Sequence, residues 1–269
     1  MAAATLASVP GANGYSFGDS DLAAERLALL ARIFDPAMRA FLERAAPRRP
    51  RLALDLGCGP DHTTEIVAEV TEPERTVGID VSESFLEQAR KRAGARIEFI
   101  RHDVTVTPFP VGSPDLIFAR LLLSHLPDPE RLIGCWAGGL APGGVVLSDE
   151  VERIETNLEQ FARYLVLVET RMRAGGGELY LGPRLDALQI EQGVRQRSSD
   201  AVQVAPATAE AAAMFLLNLR VMRAAKRLEG FATPAELDRL EQELDELMQS
   251  DALGGEIVWT LRQTVFAAY

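Results

Sequence analysis

Short apolar strands alternate with helical stretches between residues 52 and 148, and this alternation constrains the fold more than any other feature of the chain. Strand–helix alternation builds βαβ units, in which neighbouring strands run parallel. The chain is therefore predicted to be an α/β protein with a mainly parallel sheet. Strands are predicted at 52–56, 76–80, 96–100, 115–119 and 145–148, and helices at 63–70, 82–92 and 129–140.

The segments on either side of this core are mostly helical. Residues 21–44 have helical periodicity, and Pro36 is predicted to divide them into two helices. We predict an N-terminal part, 1–50, and a domain at 51–269 with helical insertions at about 151–180 and 207–250. Within the second half, helices are predicted at 155–174, 183–192, 207–228 and 233–249, and strands at 202–204 and 257–266.

Charge and cysteine content exclude some function classes. Lys and Arg total 28 against 39 Asp and Glu, a net charge of -11, which disfavours nucleic acid as a partner. No apolar run reaches the roughly 20 residues that span a bilayer, and the N-terminus does not resemble a secretory signal. Two cysteines without a paired motif fit a reducing compartment, so the predicted location is the cytoplasm, with no membrane partner.

A glycine-containing turn follows the first strand of the core. Gly57, Cys58 and Gly59 lie between this strand and the next helix, where backbone N–H groups can approach a ligand beside the positive helix end. The dinucleotide fingerprint requires a third glycine at the position of His62. The absence of this glycine disfavours a nicotinamide-dependent oxidoreductase.

Acidic residues stand at or just after the carboxyl ends of three predicted strands. Asp55, Asp80 and Asp103 each stand at a carboxyl end, where ligands bind in open α/β sheets. Any one of them could be an ordinary turn or cap residue. As a set they indicate a site for an adenosine-bearing cofactor, in which Asp80 accepts hydrogen bonds from the ribose.

The ordered motifs of this core resemble those of class I S-adenosylmethionine-dependent methyltransferases, of the small-molecule type found in ubiquinone and menaquinone biosynthesis. The resemblance covers residues 52–150. It implies a Rossmann-like sheet of about seven strands, N-terminal helices over the cofactor, and a helical lid inserted after strands 5 and 6. The motifs are Leu54–Pro60, Gly78–Ser82, His102–Val104, Phe118–Leu126, Leu126–Pro129 and Leu140–Gly144.

The resemblance also implies the cofactor, S-adenosyl-L-methionine, with S-adenosyl-L-homocysteine as the product. Phe85 would contact the adenine, and Arg120 either the cofactor's carboxylate or a neighbouring acid. Asp61 departs from the family, which usually has a third glycine there. The predicted cofactor-binding residues are Tyr15, Asp55, Gly57, Cys58, Gly59, Asp80, Val81, Phe85, Asp103, Val104, Ala119 and Arg120.

Catalysis and substrate are less constrained by the sequence. His125, after the fourth strand, is the candidate general base, with packing as the alternative role. Asp149 and Glu150 are alternative bases, and no metal is expected. Apolar stripes around Phe161–Met172 and Met214–Val221 predict a pocket for a small, fairly hydrophobic molecule, or else core or a homodimer seam. The predicted function is methyl transfer in secondary metabolism; the alternative is a methyltransferase-fold protein that binds a partner or catalyses another reaction.

Overall fold

The computed structural model describes residues 20–94, 96–189, 193–249 and 256–268. Helices and strands alternate through the first half, and long helices lie between the last strands. The helices are α1 (Asp21–Ala45), α2 (His62–Thr71), α3 (Glu83–Arg92), α4 (Pro129–Gly138), α5 (Glu159–Ala174), α6 (Gly182–Asp186), α7 (Thr208–Ala224) and α8 (Pro234–Gln249). The strands are β1 (Leu52–Leu56), β2 (Arg75–Asp80), β3 (Ile97–Arg101), β4 (Leu116–Arg120), β5 (Val145–Thr156), β6 (Val194–Val204) and β7 (Ile257–Ala268).

The seven strands form one sheet in the order β3-β2-β1-β4-β5-β7-β6. The pairs among β1 to β5 are parallel, while β7 pairs antiparallel with both β5 and β6. The prediction of a mostly parallel, Rossmann-like sheet of about seven strands is confirmed. The strand order proceeds outward from β1 in one direction and from β4 in the other. The carboxyl ends of β1 and β4 therefore frame a crevice.

Both faces of the central strands are covered, which explains why their sequences are continuously apolar. All five residues of β1 are buried. Ala53 and Phe118 pack on one face with Met38 of α1 and Val67 of α2. The alternate residues of the same strands, such as Leu54, pack on the other face with α4.

A third apolar cluster joins the inserted helices to the N-terminal helix. It contains residues of α1, α5, α7 and α8 together with the ends of β5 and β7, including Leu261. Each of these two strands is 12 residues long, and the parts beyond the parallel sheet carry the helices. The predicted helical insertions after strands 5 and 6 are thus part of one continuous core.

Several predicted boundaries were wrong. Residues 21–45 form one helix rather than two, although Pro36 lies inside it. Strand β5 runs to Thr156, well beyond the predicted end at residue 148, so the first insertion starts later than predicted. The helix predicted at 183–192 is the short α6, and strand β6 extends back to Val194. In the described part of the chain, no helix is long and apolar enough to cross a membrane.

Candidate active site

The loop between β1 and α2 is held by backbone hydrogen bonds to β2. Gly57 and Gly59 have φ of 68° and 54°, a region that favours glycine. The N–H groups of Gly57 and Cys58 donate to the carbonyl of Ile79, at 2.8 and 3.1 Å. A side chain at residue 57 would meet Leu122 Cδ1 at 2.7 Å. The close approach of two loops therefore requires glycine at this turn.

Asp80 connects this glycine loop to the start of α3. Its Oδ2 accepts from the Gly59 N–H at 3.0 Å, and its Oδ1 accepts from the Ser82 N–H at 2.8 Å. Ser82 in turn caps α3 by accepting from Phe85 N at 3.2 Å. Asp80 thus ties the glycine loop to the N-terminus of α3, at the carboxyl end of β2.

Asp55, in β1, connects this strand to the start of α2 on the other side of the same loop. Its Oδ2 accepts hydrogen bonds from Thr63 Oγ1 at 2.6 Å and Thr64 Oγ1 at 2.7 Å, and the side chain is buried. Burial raises the pKa of Asp55 to about 6, although the two hydroxyl groups oppose that shift. These contacts give Asp55 a positioning role at the start of α2, and its predicted contact with the cofactor stays a prediction.

The remaining predicted adenine-side residues surround β2 and β3. Asp103 Oδ1 accepts from Thr105 N and Thr105 Oγ1, at 2.9 and 2.7 Å. The Val104 carbonyl accepts from the indole of buried Trp136 at 2.8 Å, a support that the sequence analysis did not identify. Phe85 is buried in the same apolar cluster as residues of α1.

Arg120 ends β4 beside the glycine loop, where Ala119 is paired with Leu56. Its Nη1 lies 3.5 Å from Met38 Sδ, and no carboxylate of the described residues lies within 4 Å of the guanidinium. Burial lowers the pKa of Arg120, and the charges of Asp149 and Asp55 oppose that shift. The alternative of a direct ion pair to a neighbouring acid is not found in this part of the chain.

Two buried acidic residues, Asp149 and Glu150, lie in the middle of β5. Glu150 Oε1 accepts from the N–H groups of Leu122 and Leu123, at 2.8 and 2.7 Å. It thereby fixes the 3₁₀ turn Leu123–His125. Asp149 is fully buried, and none of the described residues forms a hydrogen bond of good geometry with it. Burial raises the pKa of both groups to about 7.

A cavity of about 70 Å³, here called the helical cavity, lies on the other side of this turn. Its walls come from α1, α5, α7, β5 and β7. Part of each predicted apolar stripe lines it, including Val168 and Met214, whereas Phe161 and Leu219 pack in the core. Aromatic rings line it, and so do several polar side chains. The rings are Phe34, Tyr164, Phe215 and Trp259, and the polar groups include Arg26, Ser124, His125 and Asn218.

The residues 121–125 separate the glycine loop from the helical cavity. Leu122 contacts the glycine loop, whereas Leu121 and His125 line the cavity. Helix α1 covers both regions, because Leu27 lies 3.4 Å from where a Cβ of Gly59 would stand and Arg26 lies in the cavity wall. The two regions are therefore adjacent, as donor and acceptor sites of a transfer reaction must be.

His125 reaches the cavity as predicted, but it is a weak base there. Burial, with a smaller contribution from the charge of Arg26, lowers the pKa of His125 to about 3. The imidazole is therefore neutral at physiological pH. Tyr15 lies outside the described residues.

The sequence analysis missed Arg26 and Asn218. The signal for Arg26 was available: it lies four residues after Leu22 and four before Leu30, which places it on the apolar side of α1. Asn218 gave no comparable signal, because only the packing of α7 against α1 shows that it is buried.

The sequence is similar to methyltransferases. Residues 54–148 match the family model described as a methyltransferase domain. A trans-aconitate 2-methyltransferase from Methylobacterium radiotolerans is 42% identical over 105 residues, covering 39% of this chain and 40% of that protein. The protein of the same name from Acidovorax ebreus is 30% identical over 151 residues, covering 56% and 53%. The chain thus spans about half or less of the length of these relatives.

Solved structures agree with the fold. A structure described as a methyltransferase of unverified function from Bacillus halodurans superposes with a TM-score of 0.57 at 14% identity, covering 87% of this chain and 100% of that one. A phosphoethanolamine N-methyltransferase from Haemonchus contortus, bound to phosphomonomethylethanolamine and S-adenosylhomocysteine, has a TM-score of 0.53 at 19% identity, covering 89% and 57%. At these identities the likeness concerns the fold.

Proposed function

We propose that this chain, a class I S-adenosylmethionine-dependent methyltransferase by its fold and by the domain at residues 54–148, methylates a small organic acceptor bound in the helical cavity. The observation that carries the proposal is Arg120. Its guanidinium lies beside the glycine loop with no carboxylate of the described residues within 4 Å. A largely buried cation without an acid partner is suited to the carboxylate of a cofactor.

The other residues at the crevice fit the same cofactor. Asp80 stands at the end of β2, where its carboxylate would face ribose hydroxyls, and Gly57 and Gly59 give the loop its positive-φ turn beside it. Arg120 would bind the methionyl carboxylate. When bound, S-adenosylmethionine supplies an electrophilic methyl group on a sulfonium sulfur.

The turn at residues 121–125 positions the acceptor relative to this group. Glu150 fixes the turn through two backbone N–H groups, so Leu121 and His125 present a defined wall to the cavity. A neutral His125 of low proton affinity favours acceptors whose nucleophilic atom needs no deprotonation by the enzyme. The role of His125 as a general base stays a prediction.

The biological setting is part of the proposal. The names of the relatives specify a small organic acid as the acceptor, which supports a small-molecule substrate here. The aromatic walls of the helical cavity support an acceptor that is fairly hydrophobic. A role in secondary metabolism, a cytoplasmic location and a homodimer stay predictions.

Calorimetric titration with S-adenosylhomocysteine, with NAD as the comparison ligand, tests cofactor binding. We expect micromolar binding of the former and none of NAD. Arg120→Met is expected to weaken binding by roughly ten- to hundredfold, the value of a hydrogen bond between charged groups. Arg75→Met is the control, because Arg75 lies at the end of β2 opposite to Asp80, where it pairs with Glu98 of β3. Unchanged binding in Arg120→Met, or no binding by the native chain, would overturn the proposed site.

Methyl transfer is tested separately, by S-adenosylhomocysteine formation over a panel of small acceptors. Product that depends on an acceptor supports the enzyme. Cofactor binding without product across the panel favours the alternative, a methyltransferase-fold protein that binds a partner or catalyses another reaction.

A further inference from the structure

The helical cavity contains a buried cation among aromatic walls. Arg26, from α1, is 6% exposed and donates from Nε to Asn218 Oδ1 at 2.5 Å. Asn218 is itself buried and neutral. Arg26 is the only ionised side chain among the described residues that line the cavity, since His125 is neutral there. The cavity wall thus has a positive charge and, in this part of the chain, no negative one.

Tyr164 places a second polar group in the same wall. The hydroxyl of Tyr164 is buried, and no described residue forms a hydrogen bond of good geometry with it, although Asn218 is its neighbour. Burial raises the pKa of Tyr164, so the hydroxyl keeps its proton and can donate. A buried donor without an acceptor costs about 1–3 kcal/mol, which a bound ligand can recover.

Most of the remaining wall is apolar and suits a flat or branched body. The Tyr164 ring stacks on Phe215 with centroids 4.1 Å apart, and Trp259 packs on Phe215 at 5.7 Å. Met172 and Met214 are also part of the lining, and their flexible side chains allow the cavity to widen around a ligand.

We propose, building on the methyltransferase function above, that the helical cavity selects an acceptor with one carboxylate on an apolar body, and that Arg26 and Tyr164 bind that carboxylate. A cationic donor and a hydroxyl donor together match the two oxygens of a carboxylate. Second and third carboxylates would be desolvated against the aromatic rings, at a cost that one guanidinium does not offset. The acceptor therefore differs in charge from the tricarboxylate in the names of the relatives.

The test compares matched ligands by calorimetry, with and without saturating S-adenosylhomocysteine. The probes are phenylacetate and 3-methylbutanoate, their neutral amides, and trans-aconitate. We expect each monocarboxylate to bind about tenfold or more tightly than its amide and than trans-aconitate, as a charge-assisted pair implies. Equal affinity of acid and amide, tighter binding of trans-aconitate, or no binding of either acid would overturn the inference.

Variants identify the residues responsible. Tyr164→Phe removes one hydroxyl and keeps the ring packing, so it should weaken the acids about fivefold or more and leave the amides unchanged. Arg26→Met should weaken binding of the acids more than Tyr164→Phe does, because it removes the positive charge. Tyr180→Phe is the control, because Tyr180 lines a separate surface depression of the same region.

Titration with S-adenosylhomocysteine separates the two proposals. If Tyr164→Phe binds this ligand normally and acid affinity is also unchanged, the carboxylate inference fails while the methyltransferase proposal stands. If the native chain binds the acids selectively but never binds S-adenosylhomocysteine, the methyltransferase proposal fails instead.

Discussion

At the scale of single residues, Asp61 occupies a backbone position that favours glycine. Its φ is 90°, its side chain is 1% exposed, and Oδ1 has no hydrogen-bond partner among the described residues. Burial and the charges of Glu65 and Asp55 raise the pKa of Asp61 to about 7. Glycine at this position would avoid both the positive-φ strain and the buried carboxyl group.

Asp61→Gly is expected to stabilise the fold by about 1–2 kcal/mol, because it removes a strained φ and a buried carboxyl without a partner. It should also tighten S-adenosylhomocysteine binding at pH 7, since it removes a partly ionised carboxylate near the proposed site of the cofactor's carboxylate. Urea unfolding and calorimetry measure the two effects.

Asp61→Asn is the matched control for that substitution. Asparagine tolerates positive φ and has no charge, so it should improve binding without the full gain in stability. If Asp61→Gly weakens binding, the side chain is contributing to the site rather than straining it.

At the scale of elements, α1 shows how packing overrides a local rule. Pro36 removes one backbone donor, yet the helix continues through it. Phe34 before the proline and Met38 and Phe41 after it are almost completely buried, and this packing holds both parts of the helix in line. An ion pair from Arg39 to Asp35 at 2.7 Å also spans the proline.

Pro36→Ala is expected to raise the free energy of unfolding by about 1–2 kcal/mol. The substitution restores an N–H donor and removes a steric clash, and greater freedom of the unfolded chain offsets part of the gain. Pro36 is exposed, so no packing is lost. Denaturant unfolding measures the change, and Ala40→Gly, an exposed site on the same helix, calibrates it with an expected loss of about 1 kcal/mol. Lower stability in Pro36→Ala would mean that α1 depends on a bend at this residue.

The central elements were predictable from the sequence, and the later ones were not. Strands such as β1 have continuous apolar runs because both faces are covered, so their type and place follow from the pattern. The outer halves of β5 and β6 alternate between half-buried and exposed residues, because only one side meets the core. Their lengths are set by pairing with β7, a contact far apart in sequence that no local pattern specifies.

The candidate site divides in the same way. The glycine loop and Asp80 were identifiable because local turn geometry and position after a strand fix their roles. Arg26 and Asn218 meet across a separation of 192 residues, so their contact depends on how α7 packs against α1. The proposed cofactor side of the site is therefore local in sequence, while the proposed acceptor side is a product of tertiary packing.

At the scale of the whole molecule, buried carboxyl groups give the fold an unusual pH dependence. Asp55 has a pKa of about 6, and Asp61, Asp149 and Glu150 have pKa values of about 7. The same groups titrate near pH 4 in an unfolded chain. Between about pH 4 and 7 the folded protein therefore holds more protons, and each such group lowers stability as the pH rises.

Two histidines act in the opposite direction over part of this range. The pKa values of His62 and His125 are about 4 and about 3 in the folded protein, and near 6.5 in the unfolded chain. Between about pH 4 and 6.5 the unfolded chain therefore holds more protons on these two imidazoles. Their contribution raises stability as the pH rises to about 6.5, but four carboxyl groups outnumber two imidazoles. We expect the free energy of unfolding of the cofactor-free protein to fall by about 1 kcal/mol or more per pH unit between pH 5 and 7.

Urea unfolding at half-unit intervals from pH 5 to 8 measures this slope. Asp61→Asn removes one of the four carboxyl groups and should flatten the slope by at most one proton, roughly 1.4 kcal/mol per pH unit. Glu98→Gln is the matched control, because Arg75 lowers the pKa of the exposed Glu98 carboxyl and moves its titration below this range. Stability that rises steadily from pH 5 to 7 would show that the buried carboxyl groups are ionised in the native state, held so by the charge of Arg120 and by hydrogen bonds at the crevice.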